Sequence, residues 1–215
     1  IDNNSSLLFT LEQHISELVK NKYIEKINHY VNTYNDTFLY IIKIISKIDV
    51  FVSFANVSKE NKYIKPIIKE NNKSYLSIKN MRNAIIEKIN DKHEYITNDF
   101  ELGLDTNGSL IFGMNSVGKS SLLRSIGISI IMAQTGMFVP GELEYSPFNN
   151  IMTKININDD LFKAKSLFIS EMNILSDIIK QANEKSLILV DELCSSTEIN
   201  SSISLFYAST KKLIE

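Results

Sequence analysis

Lys119 follows a glycine-framed loop, Gly113-Met114-Asn115-Ser116-Val117-Gly118, and precedes Ser120 and Ser121. Glycine, four free positions, Gly-Lys, then Ser or Thr is the pattern of a phosphate-binding loop. Gly113, Gly118, Lys119 and Ser120 fill it without a gap. Such a loop aims backbone N–H groups, with a helix N-terminus behind them, at a polyphosphate. Lys119 is then expected to reach the outer phosphates and Ser120 to hold Mg²⁺, which makes ATP with Mg²⁺ the expected ligand. The competing reading is a glycine turn that happens to precede a lysine.

A second group of residues suits the same chemistry. Ser186-Leu187-Ile188-Leu189-Val190 is a continuous apolar run that ends in Asp191-Glu192. An acidic pair at the end of a buried strand is where P-loop ATPases place metal and water chemistry. Asp191 is expected to bind Mg²⁺, directly or through water, and Glu192 to polarise the attacking water. Read alone, the pair could equally be two solvated acids at a strand end.

These residues need elements to hold them. Ser109-Leu110-Ile111-Phe112 suits a short buried strand entering the loop. Leu122, Leu123, Ile126, Ile130 and Ile131 recur at helical spacing after it. Residues 161–182 read as an amphipathic helix with Leu161, Phe168, Met172, Leu175, Ile178 and Ile179 on its apolar side. Strand-like stretches fall at Tyr75–Ile78, Tyr95-Ile96 and Phe100–Leu102, and Asp105-Thr106-Asn107-Gly108 reads as a turn. Alternation of strand, loop and helix around the two motifs indicates an α/β core.

The N-terminal part has a different rhythm. Ile24, Ile27, Val31, Tyr34, Phe38, Ile41, Ile45, Ile48 and Val52 alternate spacings of three and four. That is the seam of a coiled coil or of a long helix packed along another, and the alternative is a helix of a globular bundle. About 29 residues at 1.5 Å each give roughly 43 Å of rod. Leu11, Ile15 and Leu18 stand outside this register, so a separate helix or a stutter is expected near Lys20–Lys22. Pro66 and the Asn- and Lys-rich stretch 69–74 mark a change of organisation. The expected domains are a helical lever segment over 1–57 and a nucleotide-binding domain over 58–215.

Composition bounds the rest. The chain has 215 residues, 44% of them hydrophobic and 22% charged, enough to build a sizeable core. Net charge is −2 and pI about 6.0, so the whole-chain field gives no sign of nucleic-acid binding. Cys194 is the single cysteine, so no internal disulfide forms and a reducing, intracellular compartment is expected. Nuclear, cytoplasmic, organellar and viral-factory sites stay open. The apolar stretch Phe38–Phe51 is interrupted by Lys43, Lys47 and Asp49, so no membrane span is expected. The chain opens at Ile1 and ends mid-pattern at Glu215, as a piece of a longer protein would.

Several blocks together resemble the MutS family of DNA mismatch-repair ATPases. The phosphate loop, followed by Met132-Ala133-Gln134-Thr135-Gly136-Met137-Phe138-Val139-Pro140, is similar to that family's loop, helix and "AQ-G-FVP" segment. Asp159-Asp160-Leu161 and Ser166-Leu167-Phe168-Ile169-Ser170-Glu171-Met172 are similar to its "DDL…STF..EM" signature block. Ser186–Glu192, then Thr197, match its Walker B strand and the loop after it. Ile48–Phe51 with Ser53–Ala55, and Tyr95–Asp99, resemble its "LDVL..LA" and "FVPND". The resemblance covers roughly residues 38–200.

The resemblance implies a P-loop (ABC-type) ATPase core preceded by a long helical or coiled-coil lever. It implies that Ser166 reaches across a homo- or heterodimer to the γ-phosphate of the partner's ATP. Tyr95 would stack on adenine with Ile96 beside it, and Asn115 would help position the γ-phosphate or water. Strand packing for Tyr95 and a helix N-cap for Ser166 are the plainer alternatives. Gln134 matches a glutamine of the family's loop. The family's switch histidine and dimerisation helices are expected beyond Glu215, and its mismatch-reading domain before Ile1. DNA is therefore expected to be met mainly through regions outside this chain.

Departures from the pattern bear on activity. Met114 stands where the family usually has Pro, and Ser121 where it has Thr. Ala164-Lys165 stand for Gly-Arg, and Leu167 for Thr. Leu193-Cys194-Ser195-Ser196-Thr197 replaces a segment where Gly-Arg-Gly-Thr is usual, and Met81-Arg82-Asn83-Ala84 keeps only the Arg of "RHP". These changes leave room for a nucleotide-dependent structural switch with little turnover. Head-and-coil ATPases of the ABC and SMC type carry a Ser-Gly-Gly signature, and none occurs between residues 113 and 192.

Overall fold

The computed structural model describes residues 2–89, 95–114, 117–155, 164–194 and 198–214, with the backbone alone at 2–5 and 164–167. Its contacts divide the chain into two compact units, Ile1–Ser53 and Phe54–Glu215.

The first unit is helix. α1 runs Asp2–Glu60, so the expected break near Lys20–Lys22 is absent. No glycine or proline lies between Asp2 and Glu60, and a change in apolar phase does not by itself interrupt backbone hydrogen bonding. Over 2–53 the helix accounts for about 78 Å. Lys22 pairs with Glu25 one turn on at 2.7 Å; Tyr30 stacks on Tyr34 with ring centroids 6.2 Å apart, and Tyr34 meets Phe38 edge-on at 6.5 Å. The seam residues Ile41, Ile45 and Ile48 are exposed, and so are Leu39, Ile42, Ile44 and Phe51, which lie off the seam. The apolar surface is therefore wider than a two-position stripe.

The second unit takes in the last residues of α1, 54–60, and the turn that ends the helix. Lys62 takes a left-handed φ of 54°. Its N–H donates to Lys59 O at 3.4 Å, and the Tyr63 N–H donates to Ser58 O at 2.9 Å. This paired closure satisfies carbonyls that a helix end leaves open. Arg82 Nη2 donates to Asn61 O and Lys62 O at 3.0 and 3.3 Å, while its Nη1 pairs with Glu87.

Mixed α/β structure follows, with two sheets among the described residues. The larger one joins β1 (Ile67–Ile68), β2 (Leu76–Met81), β3 (Asn98–Leu102) and β4 (Glu142–Tyr145) in the order β1-β4-β2-β3. β2 runs antiparallel to both its neighbours. A register shift between Ile78 and Met81, with Asn80 at φ 50°, turns Met81 back into the core beside Leu76 and Ile78. The short helix α2 spans Ile86–Ile89. Tyr95 and Ile96 do not pair as a strand; β3 starts only at Asn98.

The second sheet pairs β5 (Asn150–Lys154) with β6 (Ser186–Val190) in parallel, with α4 (Ala164–Gln181) between them in sequence. α3 (Lys119–Gln134) buries Ile126, Ile130, Met132 and Ala133. These join Leu76, Ile78, Leu143 and Tyr145 of one sheet and Leu187 and Leu189 of the other in a single apolar cluster. Ile131, which shares that helical spacing, is exposed, lying about 100° round the helix from Ile130. α5 (Ile199–Ile214) closes the described chain.

Candidate functional site

α3 starts at Lys119, and the residue before it, Gly118, has φ 98° and ψ 14°. That left-handed conformation suits glycine and lets the loop turn sharply into the helix. The Lys119 ammonium folds back on its own loop. Nζ donates to Gly113 O at 2.8 Å and to Met114 O at 2.7 Å. Gly113, Met114, Val117 and Gly118 are exposed, and Ser120 and Ser121 are half-buried in the first turn of α3. Asn115 and Ser116 lie outside the described residues.

The expected strand before this loop does not form. Residues 109–112 have no ladder partner among the described residues, and Leu110 and Phe112 are 68% and 88% exposed. A four-residue apolar run has no strand geometry of its own; it needs a neighbour to take its hydrogen bonds. β5 is the partner that β6 takes among the described residues.

The acidic pair stands as the sequence implies. β6 buries Leu187 and Leu189, and Asp191 follows at its C-terminal end, 6% exposed. Its Oδ2 is buried and has no hydrogen-bond partner among the described residues. Glu192 is exposed, with a left-handed φ of 51°. α3 and β6 come close at Gly127, where an added Cβ would sit 3.0 Å from Leu189 Cδ1. The helix that begins with Lys119 is thus packed on the strand that ends at Asp191.

Residues that sequence reasoning did not single out for a role hold the acidic loop. Lys154, last in β5, donates from Nζ to Asp191 O at 3.1 Å and to Glu192 O at 2.6 Å. The same ammonium pairs with Glu171 Oε1 of α4 at 2.8 Å, with side chains only 10% and 6% exposed. Glu171 Oε1 also accepts the Cys194 N–H at 2.7 Å, and Ser202 Oγ of α5 donates to Cys194 O at 2.9 Å. Cys194 is fully buried. Burial pushes its thiol pKa up, the Glu171 carboxylate adds to the rise, and Lys154 opposes it. Glu171 lay inside the signature-like block, but nothing local marks Lys154, a basic residue at the end of a strand.

Other expected site residues are placed as follows. Tyr95 is half-buried ahead of β3, and Ile96 is 84% exposed. Ser166 is the third residue of α4, and its side chain lies outside what is described; so do Asp159, Asp160, Leu161 and Thr197. Gln134 uses both ends of its amide on the backbone of Phe148, donating at 2.9 Å and accepting at 3.0 Å. Asn83 is buried and donates to Ser125 Oγ of α3 at 2.8 Å, while its Oδ1 accepts the N–H groups of Ile85 and Ile86. No helix among the described residues is long and apolar enough to cross a membrane.

Comparison with known proteins identifies the family. The family model of MutS domain V matches residues 109–215. A mitochondrial DNA mismatch repair protein mutS homolog of Sarcophyton glaucum is 34% identical over 209 residues, covering 95% of this chain and 21% of the relative. A putative DNA mismatch repair protein mutS homolog of Acanthamoeba polyphaga mimivirus is 33% identical, over 88% of this chain and 20% of its own. DNA mismatch repair protein MutS of Clostridioides difficile (strain 630) is 40% identical over 170 residues, 78% of this chain and 18% of the relative. The chain therefore spans about a fifth of the length of the curated relatives it matches. With the domain V match and relatives of this identity along most of its residues, this chain belongs to the MutS family.

Proposed function

We propose that this chain is the ATP-binding and hydrolysing head of a MutS-like DNA clamp, acting in mismatch repair or a related repair or recombination role. In this reading residues 1–57 are the end of a lever and 58–215 a P-loop ATPase domain. The supporting observation is the pairing of two ends: Lys119 at the N-terminus of α3, and a buried, unpartnered carboxylate oxygen of Asp191 at the end of β6, the strand against which α3 packs.

That orphaned oxygen is a hard anionic donor, the chemistry a magnesium ion takes, so the residues present fit the metal. Asp191 and Ser120 would hold it. Bound Mg²⁺ would supply charge neutralisation on the β- and γ-phosphate oxygens. Lys119 would exchange its loop carbonyls for phosphate oxygens, and the N–H groups of the 113–118 loop would cradle the rest. Glu192 would orient water for in-line attack on the γ-phosphate. Tyr95 and Ile96 would flank adenine, and Ser166 would act on the nucleotide of a second head, so turnover needs a homo- or heterodimer. DNA would be held mainly by regions outside this chain.

Titration with a fluorescent ATP analogue and Mg²⁺ tests the reading, with phosphate release followed in parallel. Wild type binds, and Lys119→Ala weakens binding by at least about tenfold. Equal affinity in the two would overturn it. Binding without release by the full assembly would favour the runner-up, a nucleotide-dependent switch, for which Ala164, Lys165 and Leu167 in the signature-like block speak. The lever part has its own test. The exposed seam of α1 makes the chain self-associate, and Ile41→Glu with Ile45→Glu weakens that association in sedimentation runs. A wild-type chain that stays monomeric at high concentration would count against an unpaired seam.

A further inference from the structure

We propose that Lys154 and Glu171 are positioning residues that set the acidic pair Asp191-Glu192 for metal and water. The inference rests on the nucleotide-site reading above and assigns these two side chains a part in it.

The argument starts from backbone conformation. Glu192 and Cys194 have φ values of 51° and 62°, a region that side chains other than glycine adopt only at a cost in free energy. A loop with two such residues holds its shape only when its surroundings fix it. The atoms fixed here belong to those residues. Lys154 Nζ donates to Glu192 O at 2.6 Å, and the Cys194 N–H donates to Glu171 Oε1 at 2.7 Å. Lys154 also donates to Asp191 O at 3.1 Å. Both peptide groups that carry the Glu192 backbone therefore have their carbonyl-side orientation set by one ammonium.

An ammonium has three protons. Asp191 O, Glu192 O and Glu171 Oε1 are three acceptors for them, at 3.1, 2.6 and 2.8 Å. Burial of the ion pair holds it, because either charge that moved away would give up a close opposite charge that water could not readily replace. The backbone of Lys154 takes part too: its carbonyl accepts the Asp191 N–H at 2.7 Å. The Asp191 carboxylate thus leaves a strand end that is tied above and below, with Oδ2 unpartnered. A donor held this way meets a small, geometrically demanding cation without first reorganising.

The experiment separates this role from simple support of the fold. A fluorescent ATP analogue is titrated in saturating Mg²⁺ and again in EDTA, on wild type, Lys154→Met and the double variant Lys154→Met with Glu171→Met. The double variant removes both buried charges and keeps a measurable folded protein should the single one unfold. The expected result is a gain in affinity from Mg²⁺ of at least about tenfold in wild type, falling to within about twofold in the variants. Affinity in EDTA, which depends on the Lys119 loop, stays within about twofold throughout. Folded variants that keep the wild-type gain from Mg²⁺ would overturn the proposal. So would variants in which both affinities fall by one common factor, the mark of general support. A wild type that binds no nucleotide would overturn the parent reading and this inference with it.

Discussion

Two lysines grip two consecutive backbone carbonyls each, and the similarity ends there. Lys119 holds Gly113 O and Met114 O on an exposed loop. Lys154 holds Asp191 O and Glu192 O while sealed against Glu171. Water can replace Lys119 on its carbonyls at little cost, so its ammonium can move to a phosphate. Water has little access to the Lys154–Glu171 pair, whose side chains are 10% and 6% exposed, and removing one partner leaves a largely buried charge. On the reading proposed above, the same side chain would act as a ligand group at one end of the site and as scaffolding at the other, and burial would make the difference.

The largest expected effect lies on the scaffolded side. In an assembly that turns over ATP, Glu192→Ala lowers the hydrolysis rate by about 10²–10⁴-fold, the span of positioned acid–base groups, while nucleotide affinity stays near wild type. Equal phosphate release by mutant and wild type would remove Glu192 from the role. Stability should separate the two lysines next. Lys154→Met costs about 3–5 kcal/mol in urea unfolding, because Glu171 loses its counter-ion. Lys119→Met stays within about 0.5 kcal/mol. Equal losses would erase the contrast.

The smallest effect concerns Cys194, whose thiol is held above the ordinary range by burial first and Glu171 second. Folding favours its protonated form. Its contribution to stability is therefore complete below the free thiol pKa of about 8.5 and is lost as pH rises through the folded value. Alkylation of the native chain near that pH should lag well behind a free thiol, followed by mass spectrometry. A native rate equal to that of the unfolded chain would show the loop open.

Sequence alone carried the parts that depend on local pattern. An apolar run ending in two acids gives β6 and Asp191, and the glycine-lysine pattern gives the turn into α3. Leu175 and Ile178 fall on the buried side of α4 as their spacing implies. What failed depended on partners distant in sequence. Residues 109–112 look like a strand, but pairing, not composition, makes one. The lost apolar phase before Ile24 looked like a helix break, yet helical backbone continues through it. Lys154 was invisible for the same reason: its acceptors lie on α4 and after β6, and a lysine at a strand end resembles an ordinary solvated terminus.

Lysine labelling tests the central contrast most directly. The chain is treated with an amine-reactive reagent with and without saturating Mg²⁺ and ATP, and each lysine is read by mass spectrometry. The account predicts that Lys119 is labelled in the free chain and protected by nucleotide, while Lys154 stays unlabelled in both. Lys119 labelling that nucleotide leaves unchanged would contradict it.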